Sequence, residues 1–140
     1  MDIIIFLLKT LPLIVLGFFF FAVSVILYII FYIYMNINLK DISKIIFKDE
    51  RKYRRPLEPF NFIFLSLLPT TFWRETLNIK YQVNFKKLYG KDFYYPLDRE
   101  QLIELLSNYK GYFLLQYAIF ISTTFGITFL SYAYVADKYF

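Results

Sequence analysis

The sequence predicts an all-α membrane protein in which a hairpin of two transmembrane helices flanks a membrane-associated, mainly helical segment. Two uncharged stretches support this prediction, Thr10 to Leu39 and Gly111 to Ala136. Each is longer than the about 20 apolar residues that a helix needs to cross a bilayer. Composition agrees, because 59% of the residues are hydrophobic and only 19% are charged. An ordinary globular domain is roughly 45–50% apolar and about 25% charged.

The distribution of positive charge predicts how the two spans are oriented. Of the 16 Lys and Arg residues, all but Lys9 and Lys138 lie between the spans. Short loops on the cytoplasmic side of a membrane carry an excess of Lys and Arg. We therefore expect a multi-pass protein with both termini outside, in the plasma (inner) membrane if the protein is bacterial. The expected segments are an external N-terminus (1–10), a first span (11–35), a cytoplasmic middle (36–110), a second span (111–136) and an external C-terminus (137–140).

The first uncharged stretch is interpreted as a retained span rather than as a cleaved signal peptide. A signal peptide has a basic start and an apolar core of about 7–15 residues. This chain instead begins Met1-Asp2, and its apolar stretch is far longer. Tyr28, Tyr32 and Tyr34 gather toward one end of it. Tyrosine favours the headgroup zone of a bilayer, so they are expected to mark a membrane boundary.

The residues that follow the first span predict a basic amphipathic helix over 39–55, ended by Pro56. Five cations recur there at steps of three or four residues, which places them on one arc of a helix. They are Lys40, Lys44, Lys48, Arg51 and Arg55. Each juxtamembrane cation contributes about 1 kcal/mol to binding anionic lipids, so these five are the predicted headgroup contacts. The alternative is that they only set the topology. Nucleic acid is not an expected partner, because the patch sits beside a span and is diluted by acidic residues.

Two further parts of the middle segment have less regular patterns. The apolar stretch 60–68 is too short to cross a bilayer and is bracketed by Pro59 and Pro69, which favours an interfacial or re-entrant segment. Residues 77–86 fit both the alternation of a strand and the stripe of a helix. A single strand without a partner is unstable, so a helix is the favoured interpretation.

A helix start is predicted just before the second span. Asp98 and Gln101 have the spacing of a capping box, and Leu97 with Leu102 has that of a hydrophobic staple. The helix that begins there is expected to lead into the second span.

Small residues form a row on the second span that predicts a helix-packing face. The row consists of Ala118, Ser122, Gly126 and Ala133. Small side chains at four-residue spacing let two helix backbones approach closely in lipid. The partner is left open between the first span (through Gly17, Ala22 or Ser24), a second copy of the chain and another membrane protein. Thr124, Thr128 and Ser131 form a neighbouring row of hydroxyl groups. The alternative is that the small residues have no partner and that these hydroxyl groups bond back to their own helix.

The residue types that are missing exclude many kinds of chemistry. The chain has no Cys and no His, so thiolate catalysis, zinc ribbons and histidine-dependent triads are impossible. No cofactor and no metal site is predicted. The remaining candidates for acid–base chemistry are carboxylates near Lys91 and Arg99, and their spacing matches no known metal loop. They are Asp92, Asp98, Glu100 and Glu104.

These features favour a protein that acts without catalysis. We expect an accessory or inhibitory subunit of a membrane complex that works through helix packing and through contacts at the inner membrane surface. An immunity-type protein directed against a pore-forming toxin is the alternative, and a lipid-acting enzyme is a less favoured one. The order of span, basic middle and span is similar to the layout of several small bacterial membrane proteins, and no motif assigns the chain to a family.

Overall fold

The structure, a computed structural model, describes residues 2–71, 73–82 and 98–139. Every regular element within those ranges is α-helical, which confirms the predicted all-α class for them. The helices are α1 (Asp2–Lys9), α2 (Leu11–Phe47), α3 (Pro59–Thr71), α4 (Trp73–Tyr81), α5 (Arg99–Asn108) and α6 (Lys110–Tyr139). Two of them, α2 and α6, are long and apolar enough to cross a membrane. Their 37 and 30 residues extend over about 55 and 45 Å.

The chain divides into two compact units, and the first contains Met1–Ile30 and Tyr117–Phe140. Within it, α2 and α6 run antiparallel. A side chain at Gly17 would meet Leu130, whereas Ser24, two turns further along α2, bonds to Thr123, which comes earlier in α6. Aromatic rings fill the space beside this contact. The ring of Phe20 lies 5.4 Å from that of Phe125 and 5.6 Å from that of Phe129, measured between centroids.

The second unit, Phe31–Gln116, has a core built from four helices. Its most buried side chains are at most 2% exposed. They include Phe31, Met35, Leu39 and Ile42 from α2, Leu65 from α3, Leu102 and Leu105 from α5, and Tyr112 and Phe113 from α6. The α2 members recur every three or four residues, as one stripe of a helix does. The stripe keeps α2 helical well past the end of the predicted first span, because its inner face stays buried.

The basic helix predicted over 39–55 is wrong beyond residue 47. The structure ends α2 at Phe47, and Lys48 follows with a φ of 56°. A residue in the left-handed region just past the last turn is a common way for a helix to end. Two contacts hold this end in place. The side-chain amide of Gln101 donates to the Ile45 carbonyl at 2.7 Å, and the Lys52 ammonium lies 4.0 Å from the centre of the Phe47 ring.

The apolar stretch 60–68 forms the middle of α3, and α3 continues through Pro69 to Thr71. Pro59 occupies the first helical position, where its missing N–H matters little. The preceding carbonyl, that of Glu58, accepts the Phe62 N–H at 2.8 Å.

The helix favoured for residues 77–86 is confirmed as far as Tyr81, where α4 ends. Residues 83–86 lie outside the described part of the chain.

The predicted capping box at the start of α5 is confirmed. The Gln101 N–H donates to Asp98 Oδ1 at 2.8 Å, and the Asp98 N–H donates to Gln101 Oε1 at 2.9 Å. Leu97 lies outside the described residues, so the hydrophobic staple stays a prediction. The expected connection into the second span is made at Tyr109, which separates α5 from α6.

Candidate functional site

In the first unit α2 and α6 approach each other closely at two glycines, which we call the glycine crossing (Gly17 and Gly126). A Cβ atom on either glycine would lie 3.3 Å from the backbone oxygen of the other. The Thr123 hydroxyl donates to Ser24 Oγ at 3.1 Å, while the Ser24 hydroxyl donates to the Phe20 carbonyl at 3.0 Å. Small residues and interhelical hydroxyl bonds are the means by which helices associate in lipid.

The four residues of the predicted packing row lie at different depths in the structure. Gly126 and Ala133 are buried, and Ala118 and Ser122 are half-buried. Ala22, one of the α2 residues named as a contact on that helix, is exposed. The packing role of the row stays a prediction, and its geometry is compatible with α2 as one partner.

A second polar arrangement, in the second unit, holds the chain at the start of α3. Asn36 Oδ1 accepts the Leu57 N–H at 2.8 Å, and the Tyr32 hydroxyl donates to the Leu57 carbonyl at 3.0 Å. Tyr32 and Asn36 are one helical turn apart on α2, so they face the same neighbour. Both backbone groups of Leu57, a buried residue, are therefore satisfied by side chains of α2.

Two side chains of α6, again one turn apart, hold the rest of α3. The Tyr112 hydroxyl donates to the Leu65 carbonyl. In a regular helix this carbonyl would accept the N–H of residue 69, but residue 69 is a proline and has none. The Gln116 amide donates to the Thr70 hydroxyl at 3.3 Å. We call Tyr32, Asn36, Tyr112 and Gln116 together the α3 seat.

The sequence analysis did not identify the α3 seat, although two signals for it were present. Pro69 lies inside an apolar segment that is helical, so a carbonyl one turn earlier needs a donor from elsewhere. Gln116 is an amide within the uncharged stretch of the second span, where polar side chains are usually engaged with another helix. Neither signal says which residue is the partner, because that depends on which helices lie side by side.

The five predicted headgroup contacts do not share one helical arc in the structure. Lys40 and Lys44 lie on α2, while Lys48, Arg51 and Arg55 follow its end. The Lys44 ammonium lies 3.2 Å from a carboxylate oxygen of Glu50, with both side chains more than half exposed. An exposed pair of this kind contributes little to stability.

Arg55 returns along the chain to the point where α2 leaves its uncharged stretch. Its guanidinium donates to the Ile37 carbonyl at 2.9 Å, one turn before Lys40. The start of α6 reaches the same part of α2, since a Cβ on Gly111 would lie 3.0 Å from the Tyr34 ring. Burial, followed by the Asp41 carboxylate to which its hydroxyl bonds, raises the pKa of Tyr109 above its usual value.

The carboxylates considered for catalysis do not form a metal site within the described residues. Asp98 is engaged in the capping box, and Glu100 and Glu104 are exposed on α5. Asp92 lies outside the described residues. Among the residues that the structure describes, no group of three acidic side chains is placed to hold a metal ion.

No protein-family model, curated protein or solved structure matches this chain.

Proposed function

We propose that this chain is a two-span integral membrane protein that acts without catalysis, as an accessory or inhibitory subunit of a membrane complex. In this proposal α2 and α6 cross the bilayer, the glycine crossing holds them together, and residues 36–110 face the cytoplasm. The surface that remains on α2 is available to a partner within the membrane.

The exposed apolar surface of α2 is the observation that carries the proposal. Val15, Phe19, Ile26 and Ile33 recur along the side of α2 that faces away from the glycine crossing, and each is more than half exposed. A soluble protein rarely exposes contiguous apolar patches larger than a few hundred Å². In a membrane the same side chains face lipid or another helix at no such cost.

The hydrogen bonds made by polar side chains between the helices support a non-catalytic role. The α3 seat bonds to Leu57 just before α3 and to Leu65 and Thr70 within it, and Gln101 bonds to Asp98 and Ile45. These side chains hold helices together. The proposed activity therefore depends on surfaces rather than on a reacting group.

We also propose that Lys40 and Arg55 make the principal contacts with anionic headgroups. Both lie next to Ile37, near the end of the uncharged stretch, where the headgroup zone is expected. Lys48 follows the far end of α2, about 15 Å from Ile37 along the helix axis, and Arg51 comes three residues later in the chain. Electrostatic attraction to an anionic membrane surface falls off over a Debye length, so the more distant pair contributes less.

Labelling of single cysteines tests the proposed topology directly. The chain contains no Cys, so a cysteine added after the C-terminal residue or in place of the exposed Glu104 is the only thiol present. We expect an impermeant maleimide to react from outside intact cells with the terminal cysteine and not with Glu104→Cys. Reaction of Glu104→Cys from outside would contradict the orientation, and extraction of the chain by alkaline carbonate would contradict the membrane location.

Photo-crosslinking in native membranes tests the proposed partner. A benzophenone side chain placed at Ile26 or Ile33 is expected to give a product of discrete higher mass. The matched control places the same group at Glu104, on α5. Lipid adducts alone, at every exposed position tested along α2 and α6, would contradict a subunit role.

A further inference from the structure

The exposed side of α3 carries a regular apolar stripe that the proposed function does not use. Phe60, Ile63, Phe64 and Leu67 are 86, 48, 44 and 49% exposed, respectively. Their spacing of three, one and three residues places them on one face of the helix. No charged residue occurs between Glu58 and Arg74, so no charged side chain opposes insertion of this helix into lipid.

The opposite side of α3 is packed against the two long helices. Phe62 and Leu65 are buried there. The ring of Phe62 meets that of Phe31 edge-on at 5.7 Å and that of Tyr32 at 5.2 Å, measured between centroids. Both faces of α3 are therefore apolar. One is covered by α2 and α6, and the other is exposed.

The contacts of α3 place it at the depth of the predicted spans rather than beyond them. Phe31 and Tyr32 belong to the first predicted span, 11–35, and Tyr112 and Gln116 belong to the second. The bond from Gln116 to Thr70 lies one turn, about 6 Å, further into the second span than the bond from Tyr112 to Leu65. The C-terminal end of α3 is thus the deeper one.

The backbone of α3 also meets the condition for lying in lipid. A carbonyl without a donor costs several kcal/mol in the hydrocarbon region, and Pro69 withholds one donor from Leu65. The Tyr112 hydroxyl supplies it. Proline is tolerated in membrane helices where a neighbouring helix satisfies the freed group in this way.

We propose that α3 is embedded in the leaflet next to residues 36–110, with the stripe from Phe60 to Leu67 in contact with lipid acyl chains. The helix has 13 residues and is too short to cross, so the chain enters and leaves the membrane on one side. Lipid is the occupant because the stripe is continuous in depth with the predicted spans against which α3 packs. The inference rests on the proposed membrane location.

Site-directed spin labelling of the full chain in lipid vesicles tests the inference. Single cysteines replace Phe64 or Leu67, and a nitroxide label is attached to each. Ile29→Cys, on the exposed side of α2, is the reference for lipid, and Glu104→Cys is the reference for water. We expect the labels at 64 and 67 to collide more with oxygen than with a water-soluble nickel chelate, as at Ile29→Cys, and the reverse at Glu104→Cys.

Each other outcome overturns the inference in a distinguishable way. If Ile29→Cys meets oxygen while the labels at 64 and 67 meet the chelate, α3 lies in water and only this inference fails. If the labels at 64 and 67 are shielded from both reagents, a second copy or another protein covers the stripe. If Ile29→Cys meets the chelate, the membrane location itself fails.

The unmodified protein gives an independent measurement, since Trp73 is its only tryptophan. Trp73 begins α4 two residues after α3 ends, and its side chain is 48% exposed. Because Trp73 follows the deeper end of α3, we expect lipids brominated on the acyl chain to quench its fluorescence. Quenching by aqueous iodide alone would overturn the inference.

Discussion

At Tyr112 one hydroxyl group supplies the hydrogen-bond donor that Pro69 lacks. The Leu65 carbonyl that accepts it lies in a buried residue, so water does not replace the donor. Leaving a buried acceptor unsatisfied costs about 1–3 kcal/mol. The bond therefore contributes more than the average hydrogen bond, and its contribution depends on the proline.

Removal of this hydroxyl is expected to destabilise the chain. In mild detergent, Tyr112→Phe should lower the free energy of unfolding by about 1–3 kcal/mol. Pro69→Ala restores an N–H at residue 69, so Tyr112→Phe should cost less in that background. The measurement is a double-mutant cycle from denaturant titrations. Tyr132→Phe, at an exposed position, serves as the control, and strict additivity of the two changes would show that the residues are not coupled.

Between helices, contact depends on side-chain size at the glycine crossing. A Cβ on Gly126 would lie 3.1 Å from ring atoms of Phe21 and 3.3 Å from the Gly17 carbonyl oxygen. The backbone oxygen cannot move aside as the end of a flexible side chain can. A larger residue must therefore push α2 and α6 apart locally.

Gly126→Ile is expected to lower the free energy of unfolding by about 1–3 kcal/mol through overpacking. Ala22→Ile is the matched control, because it adds a similar volume at an exposed position on α2. The comparison is made by thermal unfolding in mild detergent. Equal loss of stability in both variants would mean that the glycine crossing is not a packing contact.

Gln101 connects two elements through the two ends of one amide. Its oxygen accepts the Asp98 N–H at the start of α5, and its nitrogen donates to the Ile45 carbonyl at the end of α2. Gln101→Glu keeps the acceptor for Asp98 but loses the donor, so we expect faster amide hydrogen exchange in the last turn of α2 and unchanged exchange in α5. Asp98→Ala should instead speed exchange at the start of α5. Slower or unchanged exchange at the end of α2 in Gln101→Glu would contradict the role of this bond.

The elements that sequence could predict are those whose signal is local. The presence of two long helices, α2 and α6, follows from their uncharged stretches, and the start of α5 follows from the spacing of Asp98 and Gln101. The end of α2 at Phe47 depends instead on Gln101, which is distant in sequence, and on Lys52 folding back. The periodic spacing of Lys and Arg continues past Phe47 to Arg55. It therefore predicted a helix over residues 48–55, where tertiary contacts end α2 instead.

The candidate sites also differ in whether a local sequence signal identifies them. Gly126 could be named from its row of small residues, whereas Gly17 was one of three candidates on the first span. The α3 seat could not be found, because Tyr32 and Tyr112 resemble the many other aromatic residues of the chain. Their role appears only when α3 is placed against them.

For the whole molecule, the arrangement of cations near the uncharged stretch governs the proposed contact with lipid. Lys40 and Arg55 lie beside Ile37, whereas Lys48 and Arg51 come after the last turn of α2 in the chain. The two pairs carry the same charge, so total charge does not distinguish them. The two pairs differ in their proposed distance from the membrane boundary.

Neutralising Lys40 and Arg55 is expected to release more anionic lipid than neutralising Lys48 and Arg51. Lys40→Gln with Arg55→Gln should weaken binding of phosphatidylglycerol by up to about 2 kcal/mol, at about 1 kcal/mol per cation. Lys48→Gln with Arg51→Gln is the charge-matched control and should have a smaller effect. Native mass spectrometry of the full chain measures the retained lipid. An equal or larger loss in the control pair would contradict the proposed order.

The bond between Gln101 and Ile45 also has a consequence for biosynthesis. The two residues are 56 positions apart, so Ile45 is translated before Gln101. During that interval the last turn of α2 lacks the amide that holds it in the finished protein. Completion of this end of α2 is therefore tied to translation of α5.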